Sequence, residues 1–354
     1  MTRLEAFDYE LPEACVAQYP AERRDASRLL VVDRASGALS DRQFTDLPAY
    51  LREGDVLVLN DSRVMHARLL GEKEGTGARI ELFLLRACGA SPQEASDTWE
   101  ALAKPARRLK VGDTVRFGDS LAAEVFDKHS DGSLIVRLNH RGSLSEVLER
   151  VGKVPLPPYI HREAQPLDAE RYQTVYAHEL GSAAAPTAGL HFTDELLEQL
   201  RAAGVQTAFV TLHVGLGTFR PVQTDAIEDH RMHEEFYHIP AATAAAITAA
   251  KREGRRIVCV GTTSVRTLES AALTAPDGSV AIEPGWGSTS IFIYPGGRGF
   301  AVTDALLTNF HLPKSTLLML VSAFYRREEI LTAYEHAIAT GYRFFSYGDA
   351  MLIL

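Results

Sequence analysis

Cysteine is scarce in this chain, long apolar runs are missing, and positive charge is in deficit. The three cysteines, Cys15, Cys88 and Cys259, are odd in number and far apart. They supply neither a disulfide framework nor a C-x-x-C metal knuckle. No apolar run nears the ~20 residues that span a bilayer. The longest, Leu317 to Phe324, is far too short. The opening MTRLEAFDYELPE carries acids and a proline where a secretory leader needs an apolar stretch. The balance of 37 Lys and Arg against 46 Asp and Glu, a formal net charge of −9, argues against a surface coated for polyanions. What remains is a 354-residue chain, 46% hydrophobic, long enough for a full core and about two domains. A soluble cytoplasmic protein is expected.

Charge is unevenly placed. Residues 66–150 carry both signs in equal number, so the flanking parts hold the whole acidic excess. Basic residues bunch twice, as Lys104, Arg107, Arg108 and Lys110, and as Lys251, Arg252, Arg255 and Arg256. The same middle segment reads as short strands, Ala78–Ala87, Thr98–Ala103, Thr114–Phe117, Ala122–Phe126 and Ser133–Asn139. Turn signals such as Val111-Gly112-Asp113 and the hairpin dipeptide Asp131-Gly132 separate them, with a polar loop at Ser91–Asp97. That pattern predicts a small antiparallel barrel or sandwich.

After residue 185 strands and helices alternate. Helices are expected at Asp194–Ala203, Pro240–Glu253, Arg266–Leu273, Thr316–Phe324 and Glu328–Thr340. Strands are expected at Val205–Val214, Arg256–Val260, Ser290–Tyr294 and from Phe344. Strands Arg28–Asp33 and Val56–Leu59 can join the same sheet. The expectation is an α/β main domain of residues 1–65 and 151–354, with 66–150 inserted as a β-barrel domain.

Generic motifs fail. Lys314-Ser315-Thr316 lacks the upstream glycines of a P-loop, and Gly215-Leu216-Gly217 is followed by Arg220-Pro221 instead of a third glycine and a helix. His230, His233 and Glu234 spell H-x-x-H-E, which is not the H-x-x-E-H of inverted zinc proteases, and no third ligand cluster accompanies it. Four polar segments nevertheless look unsuited to mere packing: SAAAPTAGLHF (182–192), VTLHVGLGTFRPV (210–222), GTTSVRTLE (261–269) and LLTNFHLPKSTLLMLVSAF (306–324). In a parallel α/β fold, loops that follow strands converge on one rim.

These segments, with DYELPEACVAQYPAERRDASRLLVVDR (8–34), GDVLVLNDSRV (54–64), KVPLPPYI (153–160), DAERYQTVYA (168–177), HRMHEEFYHI (230–239) and RFFSYGDAMLI (343–353), resemble the S-adenosylmethionine:tRNA ribosyltransferase-isomerases of queuosine biosynthesis nearly end to end. One departure is the GGRGF after Ile291–Pro295, where the family has a glycine and an aromatic. The resemblance implies an α/β-barrel-like main domain with an inserted antiparallel β-barrel. It also implies a reaction. The ribosyl part of S-adenosylmethionine is transferred to the aminomethyl group of a 7-deazaguanine at the wobble position of a tRNA with a GUN anticodon. The ribose is isomerised to give epoxyqueuosine, and adenine and methionine leave. S-adenosylmethionine is consumed as substrate, no metal or cofactor is implied, and a monomer is expected.

That chemistry needs a base for the ribose carbon beside the sulfonium and partners for the methionine carboxylate and the tRNA phosphates. Imidazole titrates near neutrality, so His191, His213 and His311 are the proton-transfer candidates, with Glu234 and Glu269 as alternatives. His191 and His213 are expected to line one pocket with the 261–269 turn. Arg220 and Arg266 suit the methionine carboxylate or a buried ion pair equally well. Asn60, Asp61, Arg63, Thr187, Thr262, Thr263, Ser264, Glu269 and Asn309 are candidate substrate contacts, and Asp349 is equivocal. The two basic bunches are the candidate tRNA contacts. A non-catalytic RNA-binding protein and a nucleoside transferase that never meets RNA are the competing readings.

Overall fold

A computed structural model describes residues 2–88, 96–130, 132–215, 222 and 224–354. Much of the 91–97 loop, Asp131 of the expected hairpin dipeptide, and residues 216–221, Arg220 included, lie outside that set. After three short 3-10 turns the chain forms β1 (Arg28–Val32), β2 (Leu39–Gln43), β3 (Val56–Asn60) and β4 (Ser62–Val64). It then builds β5 (Arg68–Lys73), β6 (Arg79–Ala87), β7 (Thr98–Lys104), β8 (Thr114–Phe117), β9 (Leu121–Lys128) and β10 (Leu134–His140). These six pair antiparallel in the order β5-β6-β7-β10-β9-β8, and β8 returns to β5 through Glu72↔Arg116 and Lys73↔Val115. The result is a closed barrel with no free edge.

Closure depends on a close approach at Gly71. A Cβ there would meet the Arg116 carbonyl oxygen at 2.3 Å and the Phe117 ring at 2.5 Å, so β5 can cross β8 only where a side chain is missing. Helix α1 (Leu144–Val151) buries Val147 and Leu148 in the barrel core. The short β11 (Gly152–Lys153) pairs with β5.

Beyond α2 (Pro166–Arg171) and β12 (Glu179–Ser182), which pairs with β4, the chain alternates α3 (Asp194–Ala202), β13 (Gln206–Leu212), β14 (Glu235–Ile239), α4 (Ala241–Arg252), β15 (Ile257–Val260) and α5 (Gly261–Ala271). It continues with β16 (Ala272–Thr274), β17 (Val280–Ile282), β18 (Gly285–Thr289), β19 (Ala305–Asn309), α6 (Thr316–Phe324), α7 (Arg327–Ala339) and β20 (Ala350–Ile353). Nine strands form one mixed sheet in the order β18-β14-β13-β3-β15-β19-β20-β1-β2. The α/β class with an antiparallel β-barrel is therefore the fold the chain adopts.

Its central strands read VLVLN, IVCV, ALLTN and AMLI because both faces are covered. Alternation sorts them. Val56, Val58, Cys259 and Leu306 face one layer with Ile247 of α4, Leu268 of α5 and Val321 of α6. Leu57, Leu59, Val258 and Leu307 face the other with Leu197 and Leu200 of α3.

Three expectations need correction. The helix expected from Arg266 begins at Gly261, directly after β15. Gly261 turns the chain with φ of 80°, and Ser264 and Thr267 donate their hydroxyls to the carbonyls of Val260 and Thr263 within the helix. No strand forms at 290–294; β18 precedes it, and Ile293 fills the core. The last strand starts at Ala350, because 344–349 is a loop with φ of 70° at Phe345.

Gly71→Ala is expected to lower the unfolding free energy by about 1–3 kcal/mol through this overpacking. Denaturant titration of the variant checks it, and wild-type stability would show that β5 and β8 do not approach so closely.

Candidate active site

Strands β3, β13, β15 and β19 run parallel, so Asn60, Leu212, Val260 and Asn309 end on one rim. β20 runs antiparallel to β19 and parallel to β1. The 344–349 loop and Ser27 therefore reach the same rim from the opposite direction. Over the ends of β15 and β19 lies a cleft of about 720 Å³, counting its open mouth. Its walls are the small-residue segment Ala184–Ala188, the start of α5, Thr308–Leu312, Phe345, Ser346 and Tyr159.

Of the expected contacts, Thr187, Thr262, Thr263, Asn309 and His311 line this cleft. Its described lining contains hydroxyls, an amide and an imidazole, but no Asp, Glu, Lys or Arg. Two groups on the wall, Asn309 Oδ1 and Thr263 Oγ1, are buried without a hydrogen-bond partner. An unmet buried acceptor or hydroxyl is costly, so each favours a ligand that supplies the partner. No side chain caps the N-terminus of α5, which leaves its first N–H groups and the positive end of its dipole beside the cleft.

Asn309 is held from behind. Its amide nitrogen donates to the carbonyls of Phe345 (3.0 Å) and Asp349 (3.4 Å) and faces His191 Nε2 at 3.2 Å. An amide NH₂ only donates, so Nε2 is the unprotonated nitrogen, and Nδ1–H donates to Ser27 Oγ at 2.7 Å. His191 also stacks on Phe44, with ring centroids 5.0 Å apart. Both its nitrogens are occupied by protein, and it stands in a smaller cavity behind the cleft. Burial, with Arg343 and Arg24 nearby, pushes its pKa down to about 3. Its imidazole backs the Asn309 amide from behind the cleft.

His311 reaches the cleft itself. Its Nε2 lies 2.9 Å from Thr308 Oγ1, and burial pushes its pKa down to about 3. His213 does not share the pocket with His191. It packs against Gly181 and stacks with Trp286, while its neighbour Val214 faces the cleft. Successive residues of an extended chain point to opposite sides. Burial also lowers the His213 pKa, and its Nδ1 has no partner.

The other candidates stand away from this cleft, each held by local contacts. Glu269 accepts the N–H groups of Ala301, Val302 and Thr303 and the Thr303 hydroxyl, so it fastens a loop and touches no cleft. Arg266 is ion-paired with buried Glu235, which also accepts from the Gly215 N–H. The strand alternation of β14 buries Glu235 and leaves the adjacent Glu234 exposed. Asn60 binds both backbone groups of Leu212 and fixes β13 to β3. Asp61 accepts from Thr211 Oγ1 at 2.7 Å, and burial raises its pKa. Ser264 is spent within α5. Arg63 pairs with Glu149 at 2.9 Å on the exposed seam beside α1.

Lys251 pairs with Asp304, Arg255 with Glu253 and Arg256 with Asp55. With Arg252 they stand at the start of β15, opposite the rim. Three of the four are thus ion-paired, while Arg252 is exposed with no ion pair among the described residues. Lys104, Arg107, Arg108 and Lys110 are exposed on the barrel and have no ion pair among the described residues. Sequence reasoning missed Thr308, Ser315, Ser346 and Tyr159. The signal was present in RFFSYGDAMLI: a last strand antiparallel to its neighbour carries its leading loop to the rim. Among the described residues no group of three His, Cys, Asp or Glu is placed to hold a metal ion, and no helix is long and apolar enough to cross a membrane.

The family described as "Queuosine biosynthesis protein" matches residues 4–353. This chain belongs to that family. Proteins named S-adenosylmethionine:tRNA ribosyltransferase-isomerase from Desulfitobacterium hafniense and Symbiobacterium thermophilum are each 54% identical to it over 353 residues, 99% of this chain and all of theirs. The family member of that name from Staphylococcus saprophyticus is 54% identical over 352 residues, 99% of both chains. The crystal structure of S-adenosylmethionine tRNA ribosyltransferase from Thermotoga maritima is similar across 99% of this chain and 100% of that one, with 37% identity and a TM-score of 0.55.

Because His191 and His311 are neutral when folded and have pKa values near 3, against 6.5 when exposed, only the unfolded chain takes up their protons between those values. Stability is therefore full above about pH 6.5 and falls as pH is lowered, by about 1.4 kcal/mol per unit per histidine. Wild type is expected to lose this increment relative to His191→Gln between pH 6 and pH 4.5. Denaturant titrations across that range measure it; parallel curves for the two proteins would contradict the buried neutral imidazole.

Proposed function

We propose that this chain transfers and isomerises the ribosyl group of S-adenosylmethionine onto the aminomethyl group of 7-aminomethyl-7-deazaguanine in tRNA, forming epoxyqueuosine with release of adenine and methionine. It works on the wobble base of tRNA with a GUN anticodon, as a monomer in the cytoplasm, with no metal or cofactor. Residues 1–65 and 151–354 carry the chemistry, and 66–150 form the inserted domain. Full-length family membership supports the reaction. The observation that carries the placement is the uncharged cleft over β15 and β19, with two unmet polar groups in its wall.

S-adenosylmethionine brings its own charges, so a neutral cleft suits it. A fixed cation at the cleft would oppose the sulfonium, and a fixed carboxylate would stabilise it and blunt the acidity of the adjoining C–H. The methionine carboxylate fits the uncapped start of α5, with the Thr263 hydroxyl beside it. Asn309 Oδ1 accepts from a ribose hydroxyl. Tyr159 and Phe345, with ring centroids 4.7 Å apart, offer aromatic faces to a purine.

His311 takes the proton from the ribose carbon next to the sulfonium. Its lowered pKa keeps it in the basic form at neutral pH. That makes it a weak base, adequate only because the positive sulfur acidifies its target. The exposed cations Lys104, Arg107, Arg108 and Lys110 serve tRNA phosphates at longer range.

His311→Gln is expected to lower turnover at saturating substrates ~100-fold or more while changing S-adenosylmethionine affinity little. Adenine release, assayed with excess chelator present, measures this. Near-normal turnover in the variant would remove His311 from proton transfer. Wild-type turnover abolished by chelator and restored by zinc would contradict the metal-free reading.

A further inference from the structure

Behind the cleft, sharing Ser346 with it, is a second, smaller hollow of about 270 Å³, counting the solvent at its open mouth. Three guanidinium groups converge there, from Arg24, Arg171 and Arg343, beside His191 and Ser27. Their charge is poorly compensated. Arg24 donates to the carbonyls of Leu190 (3.3 Å) and Glu170 (3.0 Å). Arg171 donates to those of Ala21 (2.7 Å) and Glu22 (3.1 Å), and its Nε is buried with no partner. Only Arg343 meets a carboxylate, Asp349 at 3.5 Å, and that carboxylate already accepts the backbone N–H groups of Arg28 and Arg343. Elsewhere in the chain, partly buried cations such as Arg256 and Arg162 have close carboxylates. Three like charges held together by carbonyls repel one another, and an anion relieves that repulsion.

We propose that this arginine cavity binds a phosphodiester of the RNA strand beside the base that enters the cleft. The inference rests on the reading of tRNA as substrate. Arg presents planar paired donors that match phosphate oxygens. The two cavities share the wall at Ser346, so a phosphate held in one adjoins a base held in the other, and unpaired loop nucleotides leave the base free to enter while the backbone is held. Burial, with Arg171 next in effect and Glu170 opposing, also lowers the pKa of Arg24. The cavity thereby supplies the local contact that fixes which base reacts, whereas the exposed barrel cations add affinity without register.

The test uses the full chain. Affinity for substrate tRNA is measured over a range of salt concentrations, and affinity for S-adenosylmethionine by calorimetry, for wild type, Arg24→Gln, Arg343→Gln and Arg24→Lys. Each Gln variant is expected to bind tRNA about tenfold more weakly and to lose about 0.7 from the slope of log affinity against log salt, as for one single-strand phosphate contact. S-adenosylmethionine affinity should stay within twofold, which also shows that the variant is folded. Arg24→Lys should recover most of the tRNA affinity. Unchanged tRNA affinity and slope in both Gln variants would overturn the proposal. So would a tenfold loss of S-adenosylmethionine affinity with tRNA binding intact, which would assign the cavity to the methionine carboxylate. Adenine release by wild type, with and without tRNA, reports separately on the underlying reaction.

Discussion

The amide of Asn309 is the point on which the cleft depends. Its NH₂ is committed to two carbonyls of the 344–349 loop and to His191, which leaves its Oδ1 buried and unmet. The loop it holds is itself pinned by Asp349, which accepts the backbone N–H groups of Arg28 at the start of β1 and of Arg343. One side chain at the end of β19 therefore fixes the spacing of β1, β19 and β20 where they meet. The cost is a buried acceptor left without a partner, on the order of 1–3 kcal/mol until a ligand arrives.

Charge is arranged by exclusion. Near the rim Arg266 meets Glu235 through one nitrogen, with its Nε and Nη2 buried and unmet, and Glu269 is spent on the 301–303 loop. The cleft is left to hydroxyls, an amide, an imidazole and a helix start. Positive charge is concentrated one wall away, where Arg24, Arg171 and Arg343 meet. A cationic small molecule and a polyanion can then share a rim without either occupying the other's place.

Much of this organisation could be read from the sequence, because it rests on local rules. Apolar runs such as VLVL and IVCV mark strands covered on both faces, and Thr193 before Asp194 caps α3 through the Leu196 N–H as its residue type suggests. The segments that line the cleft were visible as hydroxyl- and glycine-rich strand ends. What could not be read was pairing at a distance. Lys251 and Arg256 look free until Asp304 and Asp55, 53 and 201 residues away, are seen beside them. The choice between Glu234 and Glu235, or between His213 and Val214, turns on which face of a strand is buried, and one step in register reverses the answer. Similarly, α5 starts at Gly261 because a positive φ lets strand pass straight into helix, which hydroxyl-rich composition alone disguises.

The central claim is that an uncharged cleft at the ends of β15 and β19 holds S-adenosylmethionine by the start of α5. A crystal structure of the complex with S-adenosylmethionine tests this most directly. The account predicts the methionine carboxylate within hydrogen-bonding distance of the backbone N–H groups of residues 262–264, a ribose hydroxyl on Asn309 Oδ1, and His311 facing the carbon beside the sulfonium. A carboxylate bound instead by Arg266, or lodged among Arg24, Arg171 and Arg343, would contradict it.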